Sequence, residues 1–554
     1  MNFVGSYSSF ISLLLLAYAI LSSSSDGNNL EDFLHCISLH SSTNDSNSIL
    51  IHTPSSPSYS SILNFNIRNP RFWGSDTHKP VAIITPSQAS HVQASVICCK
   101  NHGFQIRTRS GGHDFEGLSY VSSVPFVLID LINLNSVTVD TKDSTAWVQS
   151  GATIGELYYR IGEKTKTLGF PGAVVPNVGV GGFLSGGGFG PMVRKYGLAA
   201  DNVVDAYFVD ANGKLHDRKS MGDDLFWAIR GGGGGSFGIV LAWKLKLVPV
   251  PAIVTCIAIN KTWDQSVAKL VHQWQYVAPE ADENLFISVT VTARNSSEGG
   301  GRMMRALFFS LFLGKAEELL YIMEKSFPEL GLKKEDCIET SWIESTAILS
   351  IASGFVSGEL SEVLVKKPPL NSRRYKVKSD FATEPIPETA MEGIWERFKI
   401  IGGIETVKLI LNPHGGKMNE ISETKTPSPY RAGYPIKIFY YVLWEQPDAD
   451  ARHLGWTREL YNYMTPFVSK SPRAVYANCR DLDIGRNNEE GISTSYEEAS
   501  VWGLKYFGNN FEKLVEVKTK VDPLNFFFHE QSIPPAARRG IQAKVSLCPD
   551  VFDL

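Results

Sequence analysis

The shortages in this 554-residue sequence narrow the field before its motifs do. The apolar run Phe10–Leu21 falls short of the about 20 residues that span a bilayer. No Lys or Arg precedes it, but Ser22–Ser25 and a polar stretch follow. The run therefore fits the core of a secretory signal peptide, cleaved near Ser22 to Asp26 and leaving no membrane anchor. A net charge of -4 provides no basic surplus, which argues against nucleic acid or anionic membrane as the main partner. None of the seven cysteines pairs with another at metal-ligand spacing, so no zinc or other metal site is expected. Seven is also an odd number, so in an oxidising compartment some cysteines pair and at least one is left over. Cys36 with Cys98, or with its neighbour Cys99, is the expected bridge. Secretion agrees with three Asn-x-Ser/Thr acceptors, at Asn44, Asn260 and Asn295.

What the chain has in quantity is clustered glycine, 47 in all. The first cluster, Arg107-Thr-Arg-Ser-Gly-Gly-His113-Asp-Phe-Glu-Gly-Leu-Ser-Tyr120, joins two cations and a hydroxyl to paired glycines and a histidine. Others follow at Gly179–Gly190 and Gly231–Gly235. Such loops let successive amide N–H groups converge on an anion, and three together point to a large, extended phosphate ligand. The histidine is not required by that chemistry and needs its own explanation.

A chain this long exceeds one core, so two domains are expected. Val81–Thr85 reads as a strand, and Ser87 is placed as the cap of a helix through Val92–Cys99. Strands are expected at Phe126–Leu131 and Thr145–Gln149, with an amphipathic helix at Ile154–Lys166. Val250-Pro-Val-Pro-Ala marks a boundary. Beyond it, Val267, Leu270, Val271 and Trp274 share one helical face. Leu285–Arg294 alternates, with Ile287, Val289 and Val291 opposite Ser288, Thr290, Thr292 and Arg294. Further strands at Met304–Leu313, Val407–Leu411 and Ile436–Leu443 alternate with helices at Ala316–Phe327, Glu388–Lys399 and Ala451–Phe467. The pattern is α+β, an antiparallel sheet backed by helices.

These segments, with Arg194-Lys-Tyr-Gly-Leu198, Asp223–Gly235, Arg480-Asp-Leu-Asp483, Asp522-Pro523, Asn525-Phe-Phe527 and Glu530–Pro534, resemble the plant berberine bridge enzyme-like proteins. Those are FAD-linked oxidases of the vanillyl-alcohol-oxidase fold class. The resemblance implies a signal peptide at 1–25 and a two-part FAD domain, 26–250 with 478–554, around a substrate domain at 251–477. It implies a covalent bond from His113 to the flavin. Val175 stands where members often carry a second, cysteinyl link, so no such link is expected. Cofactor contacts are implied for Arg107, Thr108, Arg109, Ser110, Gly111, Gly112, Gly117 and Leu118 in the first loop. Val178, Gly179, Gly181, Gly182, Ser185, Gly186 and Gly187 are implied in the second, with Gly238, Ile239 and Asn525 further on. The implied protein is a monomer of the vacuole or extracellular space.

Four positions depart from the family pattern. Cys479, Phe189 and Phe115 stand where members carry tyrosine, and Phe439 where they carry Glu or Gln. With Tyr441, they suggest an aromatic pocket for flat phenolic substrates, short of the oxygen base that proton abstraction needs. Cys479 remains a possible base if its thiolate is stabilised. Lys437, Arg294 and His414 are read as hydrogen-bond donors to a carbonyl or phenolate. Donors without a base suit a redox-neutral [4+2] cycloaddition, in which alignment alone supplies roughly 7–11 kcal/mol in favourable systems. A few members of the family, the mulberry Diels–Alderases, run that reaction. The alternative expectation is an O2-dependent oxidase releasing hydrogen peroxide, favoured by the small Val178. A non-enzymatic flavin-binding protein is the third.

Overall fold

The computed structural model describes residues 29–40, 50–74, 77–295, 302–354, 356–359, 362–365, 373–400, 406–489 and 492–536. The expected signal peptide and Asn44 lie outside these. Within them the chain is α+β, as expected, with sheets of four, five and seven strands. No helix among the described residues is long and apolar enough to cross a membrane.

In the four-stranded sheet Ala82–Thr85, Phe126–Asp130 and Gln105–Arg109 run parallel. A short antiparallel strand, Leu50–His52, joins the edge and had no signal in the sequence. Ile83, Ile84, Val127, Leu128 and Ile129 are fully buried, which is why these strands read as continuous apolar runs. The helix Ala89–Asn101 connects the first parallel strand to the next. Gln88 stands at its N-cap, whereas the Ser87 backbone N–H donates to the His91 ring, so the expected serine cap is not formed. A disulfide joins Cys36 to Cys98 and leaves Cys99 buried and free, tying the helix over residues 29–40 to Ala89–Asn101. The strand Gln105–Arg109 ends directly in the Ser110–His113 loop. A ligand loop is expected at that carboxyl end of a parallel strand.

The five-stranded sheet is antiparallel, ordered Val137–Asp140, Thr145–Gln149, Ile239–Lys246, Val203–Val209 and Leu215–His216. The seven-stranded sheet is also antiparallel and carries the long strands Val254–Thr262, Leu285–Asn295, Arg302–Phe312, Thr406–Pro413, Ile436–Trp444 and Arg374–Ala382. Leu285–Ala293 is buried along its whole length, so its polar face meets protein and not solvent. On the other face the helix Gln265–Val277 packs Val267, Leu270, Val271 and Trp274 inward, and the Trp274 indole N–H donates to the Ile287 carbonyl.

The chain then returns to the glycine-rich half. Lys518, on the helix Asn510–Val521, pairs with Asp522 and donates to the carbonyls of Ser236 and Phe527. Arg107 pairs with Glu530.

Candidate active site

A cavity of about 430 Å³ lies where three parts of the chain meet. The glycine loops form one wall, and the seven-stranded sheet supplies Phe286, Thr290, Phe309, Ile410, Asn412, Lys437 and Phe439. Tyr476, Asn478, Arg480 and His529 come from the later segment.

The loops pack backbone to backbone. A Cβ on Gly111 would stand 2.3 Å from the Gly179 nitrogen, and one on Gly179 would stand 2.2 Å from the Gly111 nitrogen. Neither position tolerates a side chain. Gly182 and Gly235 differ: both line the cavity, and a Cβ at either would meet nothing within 4 Å. That open space beside backbone is what a bound cofactor needs.

His113 is at the same wall. Its Nε2 is buried and has no hydrogen-bond partner among the described residues. Burial, and then the nearby Arg68 charge, push the imidazole down to about 3, so it is neutral. A neutral ring nitrogen held dry is a competent nucleophile or ligand. The glycine cradle, its size and this unspent nitrogen together fit FAD.

Of the residues implied to hold the cofactor, Thr108, Ser110, Gly111, Gly112, His113, Val175, Val178, Gly179, Gly181, Gly182, Ser185, Gly186, Gly238 and Ile239 line the cavity. Six do not. Arg107 is engaged by Glu530 and the Val121 carbonyl, and Arg109 by Asp130 and the carbonyls of Ile62 and Leu63. Gly117 turns at φ 73° against Phe72, and the Leu118 N–H donates to Asp114. Gly187 faces Ser428, and Asn525 follows the Asp522 turn. These residues shape the loops from behind.

On the substrate side Phe115, Phe189 and Phe439 line the cavity as expected. Tyr441 does not: it packs edge-on against Phe115 behind the wall. Cys479 is buried in the same cluster, outside the lining. Burial raises its thiol well above the ordinary range, so the expected thiolate base is not available. Arg294 is exposed at its strand end. It lies four residues beyond the lining Thr290, about 13 Å at the usual rise per residue, so its shared face does not bring it to the pocket. His414 lies one layer back, its ring stacked on Phe189 at 5.5 Å.

Lys437 does reach the cavity. Its side chain is 1% exposed, and Nζ has no hydrogen-bond partner among the described residues. Nζ lies 2.9 Å from the Phe189 ring centre and 4.4 Å from that of Tyr476. Burial lowers its affinity for a proton far below the ordinary lysine range, only partly offset by the neighbouring Cys479. The group expected to donate as a cation is thus shifted toward the free amine, the form that accepts a proton.

Tyr476 was missed by the sequence reading, although it lies three residues before Cys479. Its hydroxyl accepts from the Asn478 amide at 3.2 Å, and Asn478 also donates to the Phe183 carbonyl. Burial outweighs those hydrogen bonds and raises the phenol, so Tyr476 stays protonated. Asp114 is the one carboxylate among the lining residues, and it accepts the amides of Glu116 and Leu118.

A glycine-cradled cavity at the end of a parallel strand, closed by a large antiparallel sheet, defines an FAD-binding protein of the vanillyl-alcohol-oxidase fold. Residues 80–218 match the FAD binding domain family, and residues 475–534 match the berberine and berberine like family. The chain is 50% identical over 536 residues to tetrahydroberberine oxidase from Berberis wilsoniae, covering 95% of this chain and 99% of that protein. The solved structure of berberine bridge enzyme-like 28 from Arabidopsis thaliana superposes with a TM-score of 0.83 at 46% identity, over 92% of this chain and all of that one. The grass pollen allergen Phl p 4, described as having glucose dehydrogenase activity, superposes with a TM-score of 0.83 at 44% identity, over 91% of this chain and 99% of its own. This chain belongs to the berberine bridge enzyme-like family of FAD flavoenzymes. Those named activities are redox activities, and they give the expected cycloaddition no support.

Proposed function

We propose that the chain is an FAD-dependent oxidase of a flat, polycyclic aromatic amine or phenol, with Lys437 as the proton acceptor. The observation that carries this reading is the buried, unpartnered amine of Lys437 among Phe189, Phe439 and Tyr476. The case for a redox-neutral reaction rested on a pocket stripped of proton acceptors, and a neutral lysine is one. The name of the Berberis relative supports a tertiary amine fused to aromatic rings as the substrate class.

When bound, FAD supplies a two-electron acceptor that dioxygen reoxidises with release of hydrogen peroxide. His113 and the glycine loops would hold it, His113 through a covalent bond. Phe189 and Phe439 offer ring faces that orient a flat substrate in the dry cavity. Lys437 Nζ takes the proton from a phenol O–H, or from the N–H of a protonated tertiary amine, and so frees the electron pair that drives oxidation of the neighbouring carbon. Val178, small and on the cavity wall, leaves room for dioxygen.

The test is spectroscopic. Tetrahydroberberine, and separately a simple phenol, is added to holoprotein without air. Bleaching of the flavin, followed by peroxide on admitting air, is expected from one of them. A flavin that stays oxidised while a product with the summed mass of two substrates forms overturns the reading in favour of cycloaddition.

A further inference from the structure

Behind Phe189 lies a second cavity of about 20 Å³, lined by Phe189, His414, Ser428, Lys437 and Tyr476 among others. It is large enough for a water molecule, which needs about 10–15 Å³ and two to four polar partners. Three polar groups on its wall have no hydrogen-bond partner among the described residues: Lys437 Nζ, both ring nitrogens of His414, and Ser428 Oγ. Lys437 and His414 are 1% and 2% exposed. The neighbouring hydroxyls are already engaged, Tyr430 by the Leu504 carbonyl and Tyr506 by Gln531 and the Asp481 amide. Leaving three such groups unsatisfied costs more than immobilising one water that serves them all. Ser428 Oγ also abuts the glycine loops, where a Cβ on Gly187 would stand 2.6 Å from it. Four residues line both cavities, Phe189, Lys437, Tyr476 and Ala477, and of these Lys437 alone carries an amine.

We propose that this chamber holds an ordered water that Ser428 orients between Lys437 and His414, and that it shares the substrate proton between them. The inference rests on Lys437 as the acceptor. The substrate proton passes to the Nζ lone pair. The ammonium so formed gives a proton to the water, and the water gives one of its own to a nitrogen of His414. No electrons move in this exchange. The charges facing the pair are those of Arg194 and Arg431, which disfavour a lasting imidazolium and so return the proton through the water to Lys437. His414 and Ser428 act through Lys437 and never touch substrate.

A crystal structure of the holoprotein is expected to hold a water within hydrogen-bond distance of Ser428 Oγ, Lys437 Nζ and a His414 nitrogen. A dry chamber, or an anion in it, overturns the inference. The functional arm uses His414→Phe, which keeps the ring stack on Phe189 and removes both nitrogens, and Ser428→Ala. With whichever probe bleaches the wild-type flavin, both variants are expected to bind the probe unchanged. Both should lower the anaerobic bleaching rate by about tenfold, a fraction of the hundredfold or more a proton-transfer group contributes. They should also raise the H2O/D2O rate ratio. Wild-type rates and ratios in both variants overturn the relay alone. Bleaching at the wild-type rate in Lys437→Met overturns the acceptor reading instead. A flavin bleached by no probe removes that reading and the relay with it, while the water remains expected.

Discussion

An ammonium buried without a counter-ion costs more than the free amine, and that difference sets the chemistry of Lys437. Lys437→Met keeps most of the stem and removes the nitrogen. It is expected to slow anaerobic flavin reduction by about 10²–10³-fold while leaving thermal stability about equal, because Nζ makes no direct hydrogen bond to another described residue. A lower melting temperature with unchanged rate would contradict this. His414 and His529 are also held neutral by burial, each well below the ordinary 6.5. The unfolded chain binds those protons below 6.5 and the folded chain does not. Stability therefore falls as pH drops through 6.5, and His414→Phe should flatten that fall in denaturant titrations at stepped pH. An unaltered slope would contradict the neutral assignment. From sequence, Lys437 was legible as a pocket residue but not as a base. Its protonation depends on burial by Phe189 and Tyr476, which are 248 and 39 positions away.

Two elements show how the cavity is held open. Lys376 and Lys378 share one strand and are both buried. Lys376 pairs with Glu116 and Asp481, and Lys378 pairs with Asp481 and Asp483. This network clamps the strand Arg374–Ala382 to the turn after His113 and to the run after Cys479. Asp481→Asn strips a shared carboxylate from two buried cations. It should cost about 3–5 kcal/mol in chemical denaturation and reduce the flavin retained per chain. Full stability would show that the clamp carries no energy. The glycine loops give a sharper contrast. Gly111→Ala meets backbone and is expected to abolish folding or flavin loading. Gly182→Leu meets only open space, so a folded protein that retains little flavin is expected by circular dichroism and absorbance. Equal flavin in Gly182→Leu would remove the cofactor from that wall. The glycine clusters were plain in the sequence because their spacing is local. The ion network was not, because its members are about 100–260 positions apart.

At the scale of the whole molecule, the site is made by distant segments folding onto one another. Sequence periodicity located four of the six long strands to within a few residues and passed over Val254–Thr262 and Arg374–Ala382. It misplaced Arg294, because a shared strand face says nothing about how far along the strand the cavity extends. Tyr476 carries no local signal, because only the fold brings its ring to Phe439 and Lys437. Asn260 and Asn295 are exposed, so both are open to the expected glycosylation. The most direct measurement of the account is rapid anaerobic mixing of tetrahydroberberine with wild-type and Lys437→Met holoprotein, following flavin absorbance. The account predicts bleaching of the wild type, and bleaching about a hundredfold slower in the variant. Equal rates in the two proteins, or a wild-type flavin that stays oxidised while substrate is consumed, would contradict it.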